Sequence, residues 1–287
     1  MIPTSFDYVR ATSLRDALSV LAKGDGTKVI AGGHSLLPVM KFRLAQPPKL
    51  LDIAGLAELR GVEEYRKGAR IGATTTYREL LESQLLRDRF PIIAECTENI
   101  GDRQVRNRGT IGGSLAHADP ASDMPSLMLA LDATFNVRSK RGRRSIKARE
   151  FFQGPFATAL AEDELLLDIV LPPLPKGAGT AYLSQDQAAS GYALAGAAVI
   201  VARTRKTINH AVVALTGVGE VSHLVAAADQ LVGTKGEPEA LARVAEASVD
   251  GVEVQGDIHA PAPYRRHLAQ VIVRRALEKA LERAKYP

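Results

Sequence analysis

Two glycine-rich runs hold the residues of this sequence best suited to chemistry. The first, residues 28–40, reads KVIAGGHSLLPVM. Val29, Ile30 and Ala31 read as the end of a short buried strand. Gly32 and Gly33 then permit a tight turn and a close approach of backbone to something bound. His34 and Ser35 stand where a helix would start, with Ser35 as its N-cap and Leu36, Leu37, Val39 and Met40 as its first apolar residues. Strand, glycine turn and helix N-terminus form a cradle for a phosphate, because free N–H groups and the helix dipole both favour an anion. The second run, Gly109, Thr110, Ile111, Gly112, Gly113 and Ser114, reads as another glycine loop one subdomain further on. One such turn is an ordinary strand-to-helix connection. Two of them suggest two jaws on a single extended, phosphate-bearing ligand. Asp52 lies about twenty residues beyond the first glycines, as in a dinucleotide fold, but GGHSLL is not G-x-G-x-x-G.

No hydrolytic or metal constellation accompanies these runs. His34, His117, His210, His223, His259 and His267 show no HExxH-like spacing, and neither Ser35 nor Ser114 lies in a G-x-S-x-G elbow. The single cysteine, Cys96, excludes an internal disulfide and any iron–sulfur or Cys-rich zinc site carried by this chain. The chemistry expected is therefore that of a bound cofactor, oriented and tuned by the protein. No catalytic residue and no metal ligand are expected.

The elements that must position the runs follow from the pattern around them. Residues 13–23 form an amphipathic helix with Ser13 and Asp16 as a capping pair and Gly24 as its stop. With the first run and a strand at 49–53 this makes a small β-α-β unit. Residues 62–72 read as a hairpin turning near Lys67-Gly68; helices are expected at 77–83 and 91–98. Residues 101–108, polar and Arg-rich, read as a loop over a ligand or facing solvent. Asp119 before Pro120 is a turn signal, and Asp123 an N-cap for a helix at 125–131. Strands at 134–137 and 145–147 flank Gly142, and 164–171 (ELLLDIVL) is a strong buried strand. The PPLP run, 172–175, is the linker. Beyond it come strands at 192–202 and 207–216 and helices at 225–231, 238–247 and 263–284.

The 287 residues suffice for one large or two medium domains, and 46% hydrophobic content is that of a globular protein. No apolar run approaches a bilayer span and the N-terminus lacks a signal core, so the cytoplasm is the default location. A net charge of +5 is compatible with acidic partners. Residues 138–149 hold seven cations without one acid, best read as a solvated hairpin tip. With no tryptophan and 5% aromatics, nucleic-acid binding by base stacking is not expected.

Four motifs in order, AGGHSLLP, IGATTT, QVRNRGTIGGSLAHADPASD and YRRHLAQVIVRRAL, resemble the FAD-binding medium subunits of the molybdenum hydroxylases, with the aerobic carbon monoxide dehydrogenases as the nearest branch. The resemblance implies an α+β chain: a two-subdomain, PCMH-type FAD-binding domain over residues 1–174 (subdomains about 1–56 and 57–174), then a CO-dehydrogenase-flavoprotein-type domain over 177–287 with a small antiparallel sheet and helices. It implies non-covalent FAD, its diphosphate held from two sides by Ile30, Ala31, Gly32, Gly33, His34, Ser35 and Leu36 and by Gly109, Thr110, Ile111, Gly112, Gly113 and Ser114. Asp123 matches a position that hydrogen-bonds the cofactor, and Tyr192, in SGYALAG, an aromatic position beside the flavin ring. Thr75, Ile100 and Gly101 are further matches. The partners implied are a small subunit with two [2Fe–2S] clusters, a large subunit with the molybdenum cofactor, and an external electron acceptor. The sequence departs from the family around Ser184 and Gly191, where a basic and an acidic residue are absent, and in GVGEVSHLVAAAD, which lacks the usual Pro and Arg. These departures bear on the flavin environment and the acceptor. A flavoprotein acting alone and an anion- or nucleic-acid-binding module are the alternative classes.

Overall fold

In a computed structural model, which describes residues 1–285, the chain builds three larger sheets that share cores with one another, and a two-stranded ribbon. The N-terminal unit runs β1 (Asp7–Arg10), α1 (Leu14–Leu21), β2 (Lys28–Ile30), α2 (Leu36–Lys41) and β3 (Lys49–Asp52). Its strands are parallel in the order β1-β3-β2, with Asp7 and Lys28 flanking β3 at Lys49 and Leu50. Strand β1 is mostly exposed and lacks an alternating pattern, which is why the sequence reading missed it. Ser13 caps α1 as expected, accepting from the Asp16 N–H at 3.1 Å. Ser35 occupies the N-cap of α2, but its side chain makes no capping bond.

The second unit runs β4 (Val62–Tyr65), β5 (Gly68–Gly72), α3 (Tyr77–Glu82), α4 (Gln84–Arg89), α5 (Pro91–Asn99), α6 (Arg103–Arg108), α7 (Ile111–His117), α8 (Asp123–Ala130), β6 (Thr134–Arg138), β7 (Arg143–Lys147), α9 (Ala148–Phe151), β8 (Phe152–Gly154), β9 (Ala157–Thr158) and β10 (Leu165–Leu171). Its main sheet is antiparallel, β4-β5-β10-β6-β7, with β10 in the centre. Both faces of β10 are buried: Leu165 and Leu167 join the N-terminal core, while Leu166, Ile169 and Leu171 join the second. That is why ELLLDIVL reads as an unbroken apolar run.

Three expectations are corrected here. Residues 101–108 are not a loop, because Asp102 accepts from the Val105 N–H at 2.8 Å and starts α6. The second glycine run is likewise the first turn of a helix, with Thr110 capping the Gly113 N–H at 3.1 Å. Asp123 is not the N-cap of α8; Ser122 is, and Asp123 lies buried in the first turn.

The C-terminal unit contains β11 (Gly179–Asp186), β12 (Ala193–Thr204), β13 (Thr207–Thr216), β14 (His223–Leu224), a 3-10 turn at Ala226–Leu231 where an α-helix was expected, α10 (Pro238–Glu246) and α11 (Ala262–Arg283). Tyr192 lies just ahead of its strand. The sheet order is β11-β12-β13-β14. Alternation along β12 sends Ala197, Val199 and Val201 into a core with α10 and α11, and Ala198 and Ile200 into the core that holds α8. The third sheet is thus packed on both faces, and the second unit supplies one of the two covers.

The basic hairpin β6–β7 is ion-paired. Arg141 meets Asp163 at 2.8 Å, Arg144 meets Glu164 at 2.7 Å, and Lys147 and Arg149 both reach Asp132 at 3.0 Å. Among the described residues no helix is long and apolar enough to cross a membrane, and no cluster of potential metal ligands occurs.

Candidate functional site

The two glycine runs face one cavity of about 560 Å³, within the roughly 300–1,000 Å³ typical of ligand pockets. The first run presents the unpaired amides. Among the described residues, the backbone N–H groups of Gly32, Gly33, His34 and Ser35 have no acceptor within the chain. Gly33 adopts φ +77°, which only glycine enters without strain, and so turns the run toward α2. His34 folds back, its Nδ1 lying 3.0 Å from the Gly32 carbonyl. Ile30, Ala31 and Leu36 complete this jaw.

The second jaw works differently. Most of its amides are already satisfied: Ile111 donates to the Thr75 carbonyl at 3.0 Å, Gly112 to Ala73 at 2.9 Å and Ser114 to Thr110 at 3.1 Å. It offers a side-chain-free surface at Gly109, Gly112 and Gly113 together with the hydroxyls of Thr110 and Ser114. Gly112 is glycine for packing, since an added Cβ would lie 2.6 Å from the Ala73 carbonyl. Gly32 is glycine for the same kind of reason, closing against Arg108. The jaws thus meet backbone to backbone.

Beyond the glycines, Ile100 and Gly101 line the wall opposite Gly191. Gly101 and Gly191 both take positive φ, +54° and +72°. Tyr192, 41% exposed, stands at the rim with its phenol on Ser35; burial and the nearby Asp119 push its pKa up. Asp123 is buried against the cavity, accepting a hydrogen bond from the Tyr182 hydroxyl. Burial, helped by Asp186, pushes its carboxyl up from 3.8 to about 7, against the pull of the Tyr182 donor. His117 lines the same cavity against Phe156, ring centroids 5.1 Å apart, and burial pushes its imidazole pKa down.

The segment between α7 and α8 is held by the C-terminal unit. Thr216 donates to the carbonyls of Pro120 and Ser122 at 3.1 and 2.6 Å, Gly217 to Pro120 at 3.0 Å and Ala193 to Ala121 at 3.3 Å. Ser122 and Ser114 hydroxyls meet at 2.8 Å.

Nearly all the residues anticipated from the sequence therefore converge on one cavity. Thr75 and Ile111 do not line it: both are fully buried, and the Thr75 hydroxyl bonds the Gly61 carbonyl at 3.1 Å while its own carbonyl anchors α7. Their part is to brace the second jaw. Sequence reasoning missed Thr74, Tyr77, His117, Ser122 and Phe156 among the lining residues. Three of these lie inside the quoted motifs IGATTT and LAHADPASD and could have been named; Tyr77 and Phe156 carry no local signal.

A run of four free amides, a side-chain-free wall facing it, an aromatic rim and a buried carboxyl fit a long diphosphate cofactor with a planar ring. The comparisons agree. Residues 4–174 match the FAD binding domain in molybdopterin dehydrogenase, and residues 181–280 match the CO dehydrogenase flavoprotein C-terminal domain. The chain belongs to the FAD-binding subunits of the molybdenum hydroxylase family. Within it, the chain is 38% identical over 285 residues to the carbon monoxide dehydrogenase medium chain of Hydrogenophaga pseudoflava, covering 99% of each. It is 37% identical over 274 residues to the nicotine 6-hydroxylase medium subunit of Paenarthrobacter nicotinovorans, covering 95% of this chain and 96% of the relative. A solved carbon monoxide dehydrogenase from Hydrogenophaga pseudoflava superposes with a TM-score of 0.97 at 39% identity, over 99% of this chain and 100% of that one. The chain is thus an FAD-binding oxidoreductase subunit similar to carbon monoxide dehydrogenase medium chains.

Proposed function

We propose that this chain is the electron-transfer subunit of a molybdenum hydroxylase complex. It receives electrons from [2Fe–2S] clusters on a small subunit and passes them to an external acceptor, while a large subunit carries the molybdenum cofactor and oxidises the substrate. The reading draws on the medium chains and medium subunits it resembles along its length. When bound, the flavin supplies a two-electron store between one-electron donors and the acceptor.

The protein's part is binding and orientation. The amides of residues 32–35 are free and would hold the diphosphate; their freedom is the observation that carries the proposal. Thr110 and Ser114 add hydroxyls from the opposite jaw. Tyr192 would stand beside the ring, and Asp123 would offer it a hydrogen-bonding carboxyl, since both line the cavity. Attachment is non-covalent: Cys96 is fully buried, His34 is folded onto its own backbone and His117 is packed against Phe156. Residues 1–174 form the FAD-binding domain and 177–287 the C-terminal domain, and the setting is cytoplasmic.

The test is purification with and without added FAD. Folded protein should show flavin absorbance, and acid precipitation should release all of it as FAD. Folded protein that carries no flavin and takes none up would refute the proposal.

A further inference from the structure

Asp123 meets the cavity on one side and the C-terminal unit on the other. Tyr182, in β11, is 2% exposed and donates its hydroxyl to Asp123 Oδ1. Its backbone N–H donates to Glu95 Oε2 at 3.0 Å, and Glu95 in turn binds Arg283 Nη1 at 2.5 Å and Lys279 Nζ at 3.5 Å. Tyr182 is therefore held at its backbone and at its hydroxyl. Space for its hydroxyl is left by β12: a Cβ on Gly196 would lie 2.6 Å from that oxygen. A phenol buried merely to fill apolar space would need neither the acceptor nor the missing side chain.

We propose that Tyr182 is a positioning residue for the flavin site, holding the Asp123 carboxyl in place and tying the flavin's redox behaviour to the C-terminal sheet. This rests on the assignment of the cavity to FAD. With Oδ1 engaged by Tyr182, Asp123 keeps its second oxygen for the cavity side. A carboxylate near a bound ring opposes electron uptake, whereas a neutral carboxyl does not. The Tyr182 hydroxyl favours the ionised form, and burial and Asp186 oppose it. The titratable groups facing Asp123 are Tyr182 and Asp186 on β11, Cys96 on α5, Tyr77 on α3 and Tyr192 ahead of β12. None of these is a cation, so Tyr182 is the group among them that steadies the negative charge.

The experiment compares FAD-loaded full-length protein with Tyr182→Phe, Asp123→Asn and the double variant. The flavin midpoint potential is followed from about pH 5 to 9, across the ordinary range for a raised carboxyl, with flavin content and circular dichroism alongside. Tyr182→Phe should keep fold and FAD, and the inflection of potential against pH should move to higher pH. Asp123→Asn should abolish the inflection, and the double variant should match it. A Tyr182→Phe curve that superposes on wild type overturns the proposal, and so does an equal shift when Asp123 is already Asn. An unaltered curve in Asp123→Asn overturns it while leaving FAD binding intact; failure of the wild type to bind FAD overturns the reading beneath it. Should Tyr182→Phe fail to fold, Gly196→Ala displaces the hydroxyl without removing it and must move the inflection the same way.

Discussion

Gly32 rests directly on the carbonyl of Arg108: a Cβ there would lie 2.2 Å from that oxygen and 3.0 Å from the Gly109 Cα. The spacing between the jaws is therefore set by an absent side chain. Gly32→Ala should push the first jaw off the end of α6 at a cost of about 1–3 kcal/mol, lowering both the melting temperature and the flavin-to-protein ratio. Wild-type values for both would show that the jaws do not depend on this contact.

Gly112→Val should act through the fold, because its Cβ is directed at Ala73 and not at a ligand. The melting temperature of FAD-free protein should drop by an amount equivalent to about 1–3 kcal/mol. If thermal unfolding without FAD is unchanged and only flavin is lost, the glycine serves the cofactor instead.

Asp123 makes a pH-dependent contribution to stability whose sign follows from burial. Its carboxyl is raised from 3.8 to about 7 in the folded chain, so the folded state binds the proton more tightly than the unfolded state between those values. Stability of the FAD-free chain should fall as pH rises through that window and level off above it, by on the order of 2–4 kcal/mol at most. Denaturant titrations of wild type and Asp123→Asn between those limits should differ by this slope. Parallel curves would place the Asp123 titration elsewhere.

The arginines of α6 divide into two kinds. Arg106 uses one nitrogen to close off the end of α5, reaching the carbonyls of Ile100 at 3.1 Å and Gly101 at 2.8 Å. Arg106→Ala should cost about 1–2 kcal/mol, read as a lower melting temperature. Arg103 and Arg108 are exposed. Charge reversal at both should weaken assembly with the iron–sulfur subunit in co-purification while flavin content survives. Normal assembly with lost flavin would assign them to the cofactor, and no change in either to the solvated surface.

Free of its partner subunits, the chain should reduce artificial dyes slowly at best and oxidise no carbon monoxide, purine or aldehyde. Turnover of any such substrate by purified, flavin-loaded chain would contradict the division of labour proposed above.

Much of the cavity was legible because its cues are local. Gly32, Gly33, Thr110 and Gly113 announce turns and caps within a few residues of themselves. The type of the second jaw was misjudged for a physical reason: glycines suggest a loop, yet the hydrogen bonds of Thr75 and Ala73 to α7 come from the distant segment between β5 and α3 and support a helix there. Residues 101–108 misled in the same way, since their polarity reflects an exposed helix surface and not irregular backbone. Strand β11 was hidden because its outer half, with Ser184 and Gln185, is polar. Tyr182 had no sequence signal at all. Its importance depends on Asp123, fifty-nine positions away, and on a glycine in the neighbouring strand.

The burial of the third sheet on both faces has a consequence for the order in which this protein can be made. The floor and rim of the cavity depend on β11, β12 and β13, and Glu95 is paired with Arg283 near the end of α11. A nascent chain that has emerged only through β10 already displays both glycine jaws, but it lacks Tyr192 at the rim and the strand ends that hold residues 120–122. During synthesis the second unit would therefore wait with an uncovered apolar face until β11, β12 and β13 have formed over it. A chain cut short before β11 should therefore purify without flavin, since it lacks Tyr192 and the contacts of Thr216 with residues 120 and 122.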